Sequence, residues 1–227
     1  VIIRSKVTIV LDPYNVNTKT GRFVLVDQYE TVGGGIISME GYPNQRGRHN
    51  VVSTNIEAVA STINQKTRAS VNGHMGGIIW LTGLSGAGKS TIAMEAERQL
   101  FQKGYQIYVL DGDNIRFGLS ADLGFTPADR TENIRRIGEV AKLFADAGVV
   151  VITAFISPYR DDRNRVRAIA PDQFHEVFIK ADLSTCETRD PKGLYAKARN
   201  GEIEDFTGVS APYEEPTDAN LIIDTSE

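Results

Sequence analysis

The chain has almost no cysteine. Cys186 is the only one among 227 residues, which excludes an internal disulfide framework and a multi-cysteine zinc site. A lone thiol reads first as a core or helix-surface group rather than a reactive one. Long apolar runs are missing as well. A membrane-spanning helix needs about 20 consecutive apolar residues. The longest candidate, residues 149–156, is far shorter, contains Thr153 and reads as a buried strand. There is no excess of positive charge: 25 Lys and Arg against 29 Asp and Glu leave a formal net charge of −4. Nucleic-acid-binding domains usually look basic, so neither nucleic acid nor membrane is expected as a partner. No secretory signal pattern opens the sequence, and a cytoplasmic setting is expected. Internal repeats and low-complexity tracts are not seen.

What is present is ordinary globular material, 41% hydrophobic and 24% charged, enough for one good core. Residues 1–38 differ from the rest. Residues 6–11 alternate toward a strand, Asp12-Pro13-Tyr14-Asn15 is turn-rich, and 22–27 is another short apolar run. Gly33-Gly34-Gly35 is expected to break the chain before Ile36 and Ile37. This is β-hairpin material, too small to be stable alone. Residues 39–54, polar and glycine-rich in their first part, are expected to be a linker. Residues 55–68 have helical spacing, with Ile56, Val59, Ala60 and Ile63 on one stripe.

From Gly77 onward strand and helix alternate. Residues 78–82, 106–110, 149–156, 174–179 and 221–223 read as strands, and 149–156 is apolar on both faces as a central parallel strand should be. Residues 90–100, 129–147 and 160–169 read as helices, with Ile134, Ile137, Val140, Ala141 and Phe144 inward on the longest. The pattern implies an α/β fold, a three-layer sandwich with a parallel sheet, preceded by a short β fragment.

Residues 83–90 read Gly83-Leu84-Ser85-Gly86-Ala87-Gly88-Lys89-Ser90, a full match to G-x-x-x-x-G-K-[ST]. An apolar strand precedes it and an amphipathic helix follows, the context a true phosphate loop requires. The glycines let backbone N–H groups curl around phosphate oxygens, and the helix offers its positive end to the same anion. Lys89 adds charge at the β and γ phosphates of ATP, and Ser90 supplies a hydroxyl to Mg²⁺. Thr91 follows in the same turn. The base-reading N-K-x-D element of GTPases is absent, which favours a kinase or ATPase.

The second strand ends in Asp111-Gly112-Asp113-Asn114-Ile115-Arg116. Ligands of open parallel sheets sit beyond the carboxyl ends of the strands. Two carboxylates there can divide the work, one taking a proton from an attacking hydroxyl and the other holding Mg²⁺ through water. The bland alternative is a strand-to-turn cap. Thr126-Pro127 is a sound helix start. Arg130, Asn133 and Arg136 then recur at helical spacing, either as a solvated basic face or as part of a site. Phe125 could be core or could stack on a purine.

Taken in order, residues 83–91, 111–119 and 124–136, Phe155-Ile156-Ser157-Pro158-Tyr159, Asp190-Pro191-Lys192-Gly193-Leu194-Tyr195 and Asp205-Phe206-Thr207-Gly208 resemble the adenylylsulfate kinases. The resemblance covers about residues 50–225. It implies ATP-dependent phosphorylation of the ribose 3′-hydroxyl of adenosine 5′-phosphosulfate, a step of sulfate assimilation. It implies roles as well. Asp113 handles the 3′-hydroxyl, with Asp111 beside it near Mg²⁺ and Asn114 in the same substrate-binding segment. Arg116, Arg130 and Asn133 clamp the phosphosulfate, and Phe125 and Phe206 form two faces of an adenine sandwich. Ile156 and Ser157 contact substrate, and Lys192 with Leu194 belongs to a lid that closes over both nucleotides. For Ser157 two readings stay open, a phosphoserine intermediate and a strand-end serine that only contacts substrate, since direct in-line transfer needs no covalent step.

Residues 20–27 and 31–37 resemble the end of the last β-barrel domain in the large subunit of sulfate adenylyltransferase, an elongation-factor-like GTPase. Bacterial fusions join that subunit to adenylylsulfate kinase in this order. The resemblance implies a β remnant over 1–38, the linker over 39–54 and the kinase domain over 55–227. It further implies a homo-oligomer and, in a full-length fusion, a sulfate adenylyltransferase small subunit as partner. P-loop kinases usually continue from the last strand into a helix, whereas this sequence ends at Glu227, so truncation or a further tail is expected. Two competing functions are a P-loop kinase for another small acceptor, such as a nucleoside or sugar acid, and a nucleotide-binding regulatory domain without turnover.

Overall fold

The computed structural model describes residues 22–27, 29–36, 57 and 61–226. The expected strand at 6–11, the turn at 12–15 and the linker at 39–54 lie outside the described residues. The chain divides into two compact units, Val1–Glu57 and Ala58–Glu227.

In the first unit, β1 (Arg22–Asp27) pairs antiparallel with β2 (Glu30–Ile36). The glycine triplet does not break the chain as expected. It runs inside β2, with Gly33, Gly34 and Gly35 opposite Leu25, Val24 and Phe23. The reason is close approach: a Cβ at Gly35 would stand 3.0 Å from the Phe23 ring.

The second unit carries α1 (Gln65–Asn72), β3 (Gly77–Thr82), α2 (Lys89–Gln102), β4 (Ile107–Asp111), α3 (Gly112–Arg116), α4 (Pro127–Asp146), β5 (Val150–Ala154), α5 (Arg160–Ile169), β6 (Phe174–Lys180), α6 (Leu183–Arg189), α7 (Leu194–Arg199) and β7 (Leu221–Asp224). The five strands form one parallel sheet in the order β4-β5-β3-β6-β7. Strand residues alternate between two cores. Ile78, Trp80 and Val151 meet Ile134, Ile137 and Ala141 of α4 and Val166 of α5. Leu81, Ile152 and Ile179 meet Ala93 of α2, Cys186 of α6 and Tyr195 and Ala198 of α7. Helices therefore cover both faces, which gives the three layers that the alternating pattern implies. Trp80 is fully buried at the centre, with Phe155 and Phe174 rings at 6.1 and 5.8 Å. Cys186 is a core thiol, and burial pushes its pKa up.

Two further expectations need correction. The helix expected over 55–68 begins only at Gln65, and residues 61–64 are not helical. Asn64 dictates the start, its side chain accepting from Thr67 N at 3.0 Å. Gly73, in the left-handed region, ends the helix. Of the expected stripe, Ile63 is half exposed, and Ile56, Val59 and Ala60 lie outside the described residues. Strand β5 is shorter than 149–156, because the chain leaves the sheet after Ala154. On the long helix α4, Val140 and Phe144 pack against the core but remain partly exposed. Among the described residues no helix is long and apolar enough to cross a membrane.

Candidate active site

The phosphate loop joins β3 to α2, where the positive end of a helix meets the carboxyl edge of the sheet. Gly83 is obligatory at its first position: φ is 151° and a Cβ would lie 2.3 Å from the Ile179 carbonyl oxygen. Helix α2 is preceded by Gly88, which offers no side-chain cap, so the first amides are left for an anion. Lys89 folds back over the loop. Its Nζ donates to the carbonyls of Gly83 and Leu84 at 2.9 and 2.7 Å. Burial pushes its pKa down to about 8, against the attraction of Asp111 and Asp113.

Asp111 ends β4, buried beside the loop. Ser90 Oγ donates to its Oδ2 at 2.7 Å, and its Oδ1 accepts from Asp113 N at 3.0 Å. The strand-end cap and the loop-facing carboxylate are thus the same side chain. Ser90 and Asp111 are a hydroxyl and a carboxylate side by side, hard oxygen donors of the kind Mg²⁺ takes directly or through water. No group of three or more acidic, histidine or cysteine side chains suited to a metal occurs among the described residues. Phosphate and water would have to complete the shell. Asp113 is exposed and forms an ion pair with Lys192.

The other wall comes from α3, α4 and the loop between them. Arg116 lies over the Phe125 ring at 4.3 Å and donates to the carbonyls of Leu123 and Gly124. Arg130 is buried and donates to Phe125 O, Asp205 O and Thr207 Oγ1. Burial lowers the pKa of both arginines, and Arg130 adds a like-charge contribution at Arg116. Asn133 is buried, and its Oδ1 has no hydrogen-bond partner among the described residues. Arg136, at the same spacing, leaves this wall and pairs with Asp122 and Glu132 on the surface.

Phe125 is 59% exposed, whereas Phe206 is buried edge-on against Tyr195 at 5.0 Å. Ser157 follows Ile156 at φ 40° and is buried, its Oγ accepting from Trp80 Nε1 at 3.1 Å. Lys192 and Leu194 lie where the 190–193 turn enters α7.

These parts line one cleft of about 1080 Å³, just above the usual range of small-molecule sites. It brings together residues 85–91, Asp111, Asp113, Arg116, Phe125, Arg130, Asn133, Ile156, Ser157, Lys192, Leu194 and Phe206. It does not include Asn114, which is exposed on α3, nor Gly83 and Leu84, which open the loop and turn their carbonyls to Lys89. Sequence reasoning missed three neighbours of the loop. Arg189 donates to Gly86 O at 3.4 Å and to Thr225 Oγ1 at 3.3 Å. Tyr195 donates to Ser85 O at 2.9 Å. No local signal marks Arg189 or Thr225, which reach the cleft only because α6 and the end of β7 meet at the sheet's carboxyl edge. Tyr195 stands in the segment singled out for the lid, but its tie to the loop depends on the packing of α7.

The model of the family described as adenylylsulphate kinase matches residues 75–224. An adenylyl-sulfate kinase of Bacillus pumilus is 62% identical over 168 residues, 74% of this chain and 85% of that protein. The structure of a Mycobacterium tuberculosis APS kinase in complex with AMPPNP and APS superposes with a TM-score of 0.65 at 52% identity, covering 67% of this chain and 90% of that one. A hexameric APS kinase from Thiobacillus denitrificans gives a TM-score of 0.50 at 34% identity, covering 66% of this chain and 25% of that one. The family match opens just before β3 and closes on the last residue of β7, so it takes in the whole parallel sheet and, among the described residues, all of the cleft lining but Thr225. On that extent, this chain belongs to the adenylylsulphate kinase family.

Proposed function

We propose that this chain transfers the γ-phosphoryl group of ATP to the ribose 3′-hydroxyl of adenosine 5′-phosphosulfate, giving 3′-phosphoadenosine 5′-phosphosulfate and ADP. The observation that carries this reading is a single cleft lined by the phosphate loop, an exposed aspartate and two phenylalanines. Loop amides and Lys89 hold the β and γ phosphates. Ser90 and Asp111 would hold Mg²⁺, which would supply charge neutralisation at those phosphates. Asp113 takes the proton of the 3′-hydroxyl as its oxygen bonds to the γ-phosphorus and the bond to the bridging oxygen of ADP breaks. Arg116, Arg130 and the Nδ2 amide of Asn133 donate to the phosphosulfate oxygens, while the unpartnered Asn133 Oδ1, an acceptor, is left for a donor other than that anion. Phe125 and Phe206 flank the purine. Ile156 and Ser157 seat the acceptor by contact, a reading favoured over a phosphoserine because Ser157 Oγ is buried on the Trp80 indole. Lys192 and Leu194 close over both nucleotides.

Residues 1–38 are read as a remnant of the last barrel domain of a sulfate adenylyltransferase large subunit, 39–54 as a linker and 55–227 as the kinase domain. The antiparallel ribbon β1–β2 supports that reading. A sulfate adenylyltransferase small subunit is then a partner of the full-length fusion, self-association follows the hexameric relative, and the cytoplasm is the setting. The test is ADP release in a coupled assay with the acceptor varied. Turnover with adenosine 5′-phosphosulfate and none with a sugar acid is expected. Equal turnover with both would overturn the acceptor assignment, and nucleotide binding without any turnover would make the chain regulatory.

A further inference from the structure

Between residues 61 and 226, two described residues other than glycine sit in the left-handed backbone region, Ser157 at φ 40° and Asp205 at φ 53°. An L-residue persists there only where its surroundings over-determine it. In both cases an arginine holds the carbonyl of the strained residue. Arg130 Nη2 donates to Asp205 O at 2.8 Å, and Arg163 Nη1 donates to Ser157 O at 2.7 Å. Arg130 lines the cleft, but Arg163 does not: it lies on α5 behind the wall, 1% exposed. Its Nη2 donates to Glu214 O and its Nε to Glu176 Oε1, each at 2.7 Å. Glu176 is also held by Arg167 at 2.6 Å. One planar fork therefore joins the turn after β5, the chain around Glu214 and strand β6.

We infer that Arg163 is a positioning residue for the phosphoryl acceptor, because its guanidinium fixes the strained Ser157 turn and hence the wall made by Ile156, Ser157 and Pro158. The inference rests on reading that wall as the acceptor's seat. A guanidinium presents several N–H donors in fixed directions, and the carboxylate of Glu176 sets its orientation. Without the fork, Ser157 relaxes toward negative φ and the peptide planes on either side of it rotate. The phosphate loop shares no hydrogen bond with Arg163, so the effect falls on the acceptor side of the cleft.

The experiment uses the full chain with Arg163→Lys, Ser157→Gly and the double substitution. Lysine keeps a charge opposite Glu176 but cannot span Ser157 O and Glu214 O, and glycine accepts positive φ without strain. Arg163→Lys is expected to raise KM for adenosine 5′-phosphosulfate about tenfold while KM for ATP stays within about twofold. In the Ser157→Gly background the same substitution should raise it less than about threefold. An equal effect in both backgrounds, or a change in Tm alone with wild-type KM, overturns the inference. If Arg163→Lys fails to fold, recovery of folded, active protein in the double variant supports it, and failure of both overturns it. A wild-type chain that does not turn over adenosine 5′-phosphosulfate defeats the functional reading itself, a separate result.

Discussion

Asp113 and Lys192 show how much can rest on two exposed side chains. Their ion pair is solvent-screened, with 61% and 55% of the side chains exposed, so it contributes little to stability and yields readily to a substrate. Asp113→Ala should abolish turnover and leave ATP affinity nearly unchanged, as measured by steady-state kinetics beside a nucleotide titration. Near-normal turnover would refute its role as base. Lys89 gives a pH dependence. Its folded pKa of about 8 lies below the ordinary 10.5, so the unfolded chain holds more protons across that window. The contribution of Lys89 to folding stability therefore rises from pH 8 toward 10.5. ATP affinity runs the other way, because the loop needs the ammonium. Kd for ATP should weaken about tenfold from pH 7 to pH 9, and Lys89→Met should flatten that slope. Of these residues, the phosphate loop was legible because its chemistry is packed into eight consecutive positions. The partners of Arg116 and Arg130 were not: Arg116 turns onto the carbonyls of Leu123 and Gly124 in the loop that follows it, and Arg130 reaches Asp205 O and Thr207 Oγ1 in a loop distant in sequence.

At the scale of elements, caps decided what periodicity left open. Thr126 accepts from Asp129 N at 3.2 Å and donates to Asp129 Oδ2 at 2.7 Å, and Pro127 follows at the first helical position. Thr126→Ala should destabilise the fold by about 1 kcal/mol, lowering Tm by a few degrees in thermal unfolding. The same logic explains the misread first helix, whose apolar stripe pointed to 55–68 while Asn64 and Gly73 set the limits. Helices α3 and α6 are too short for a periodic signal. The first is started by the Asp111 side chain, and the second is anchored by one buried residue, Cys186.

For the whole molecule, the strand order puts β3 in the middle, so the loop after it is flanked by the carboxyl ends of β5 and β6. That order was not legible, although the parallel class was, because alternation fixes strand direction and leaves neighbours free. Every described residue lining the cleft falls between Ser85 and Thr225, within the second unit. A chain lacking residues 1–57 should fold and keep kcat/KM within about threefold of the full chain, as measured in the ADP-release assay. The burial of Cys186 has a practical consequence. It is the sole sulfhydryl, packed so closely beneath the loop that a Cβ on Gly86 would lie 3.0 Å from its carbonyl oxygen. An alkylating reagent should reach it only after local opening around α6, and a nucleotide that binds the closed cleft alone should suppress that opening by the factor 1 + [L]/Kd. The pace of alkylation is therefore a gauge of cleft occupancy that requires no turnover at all.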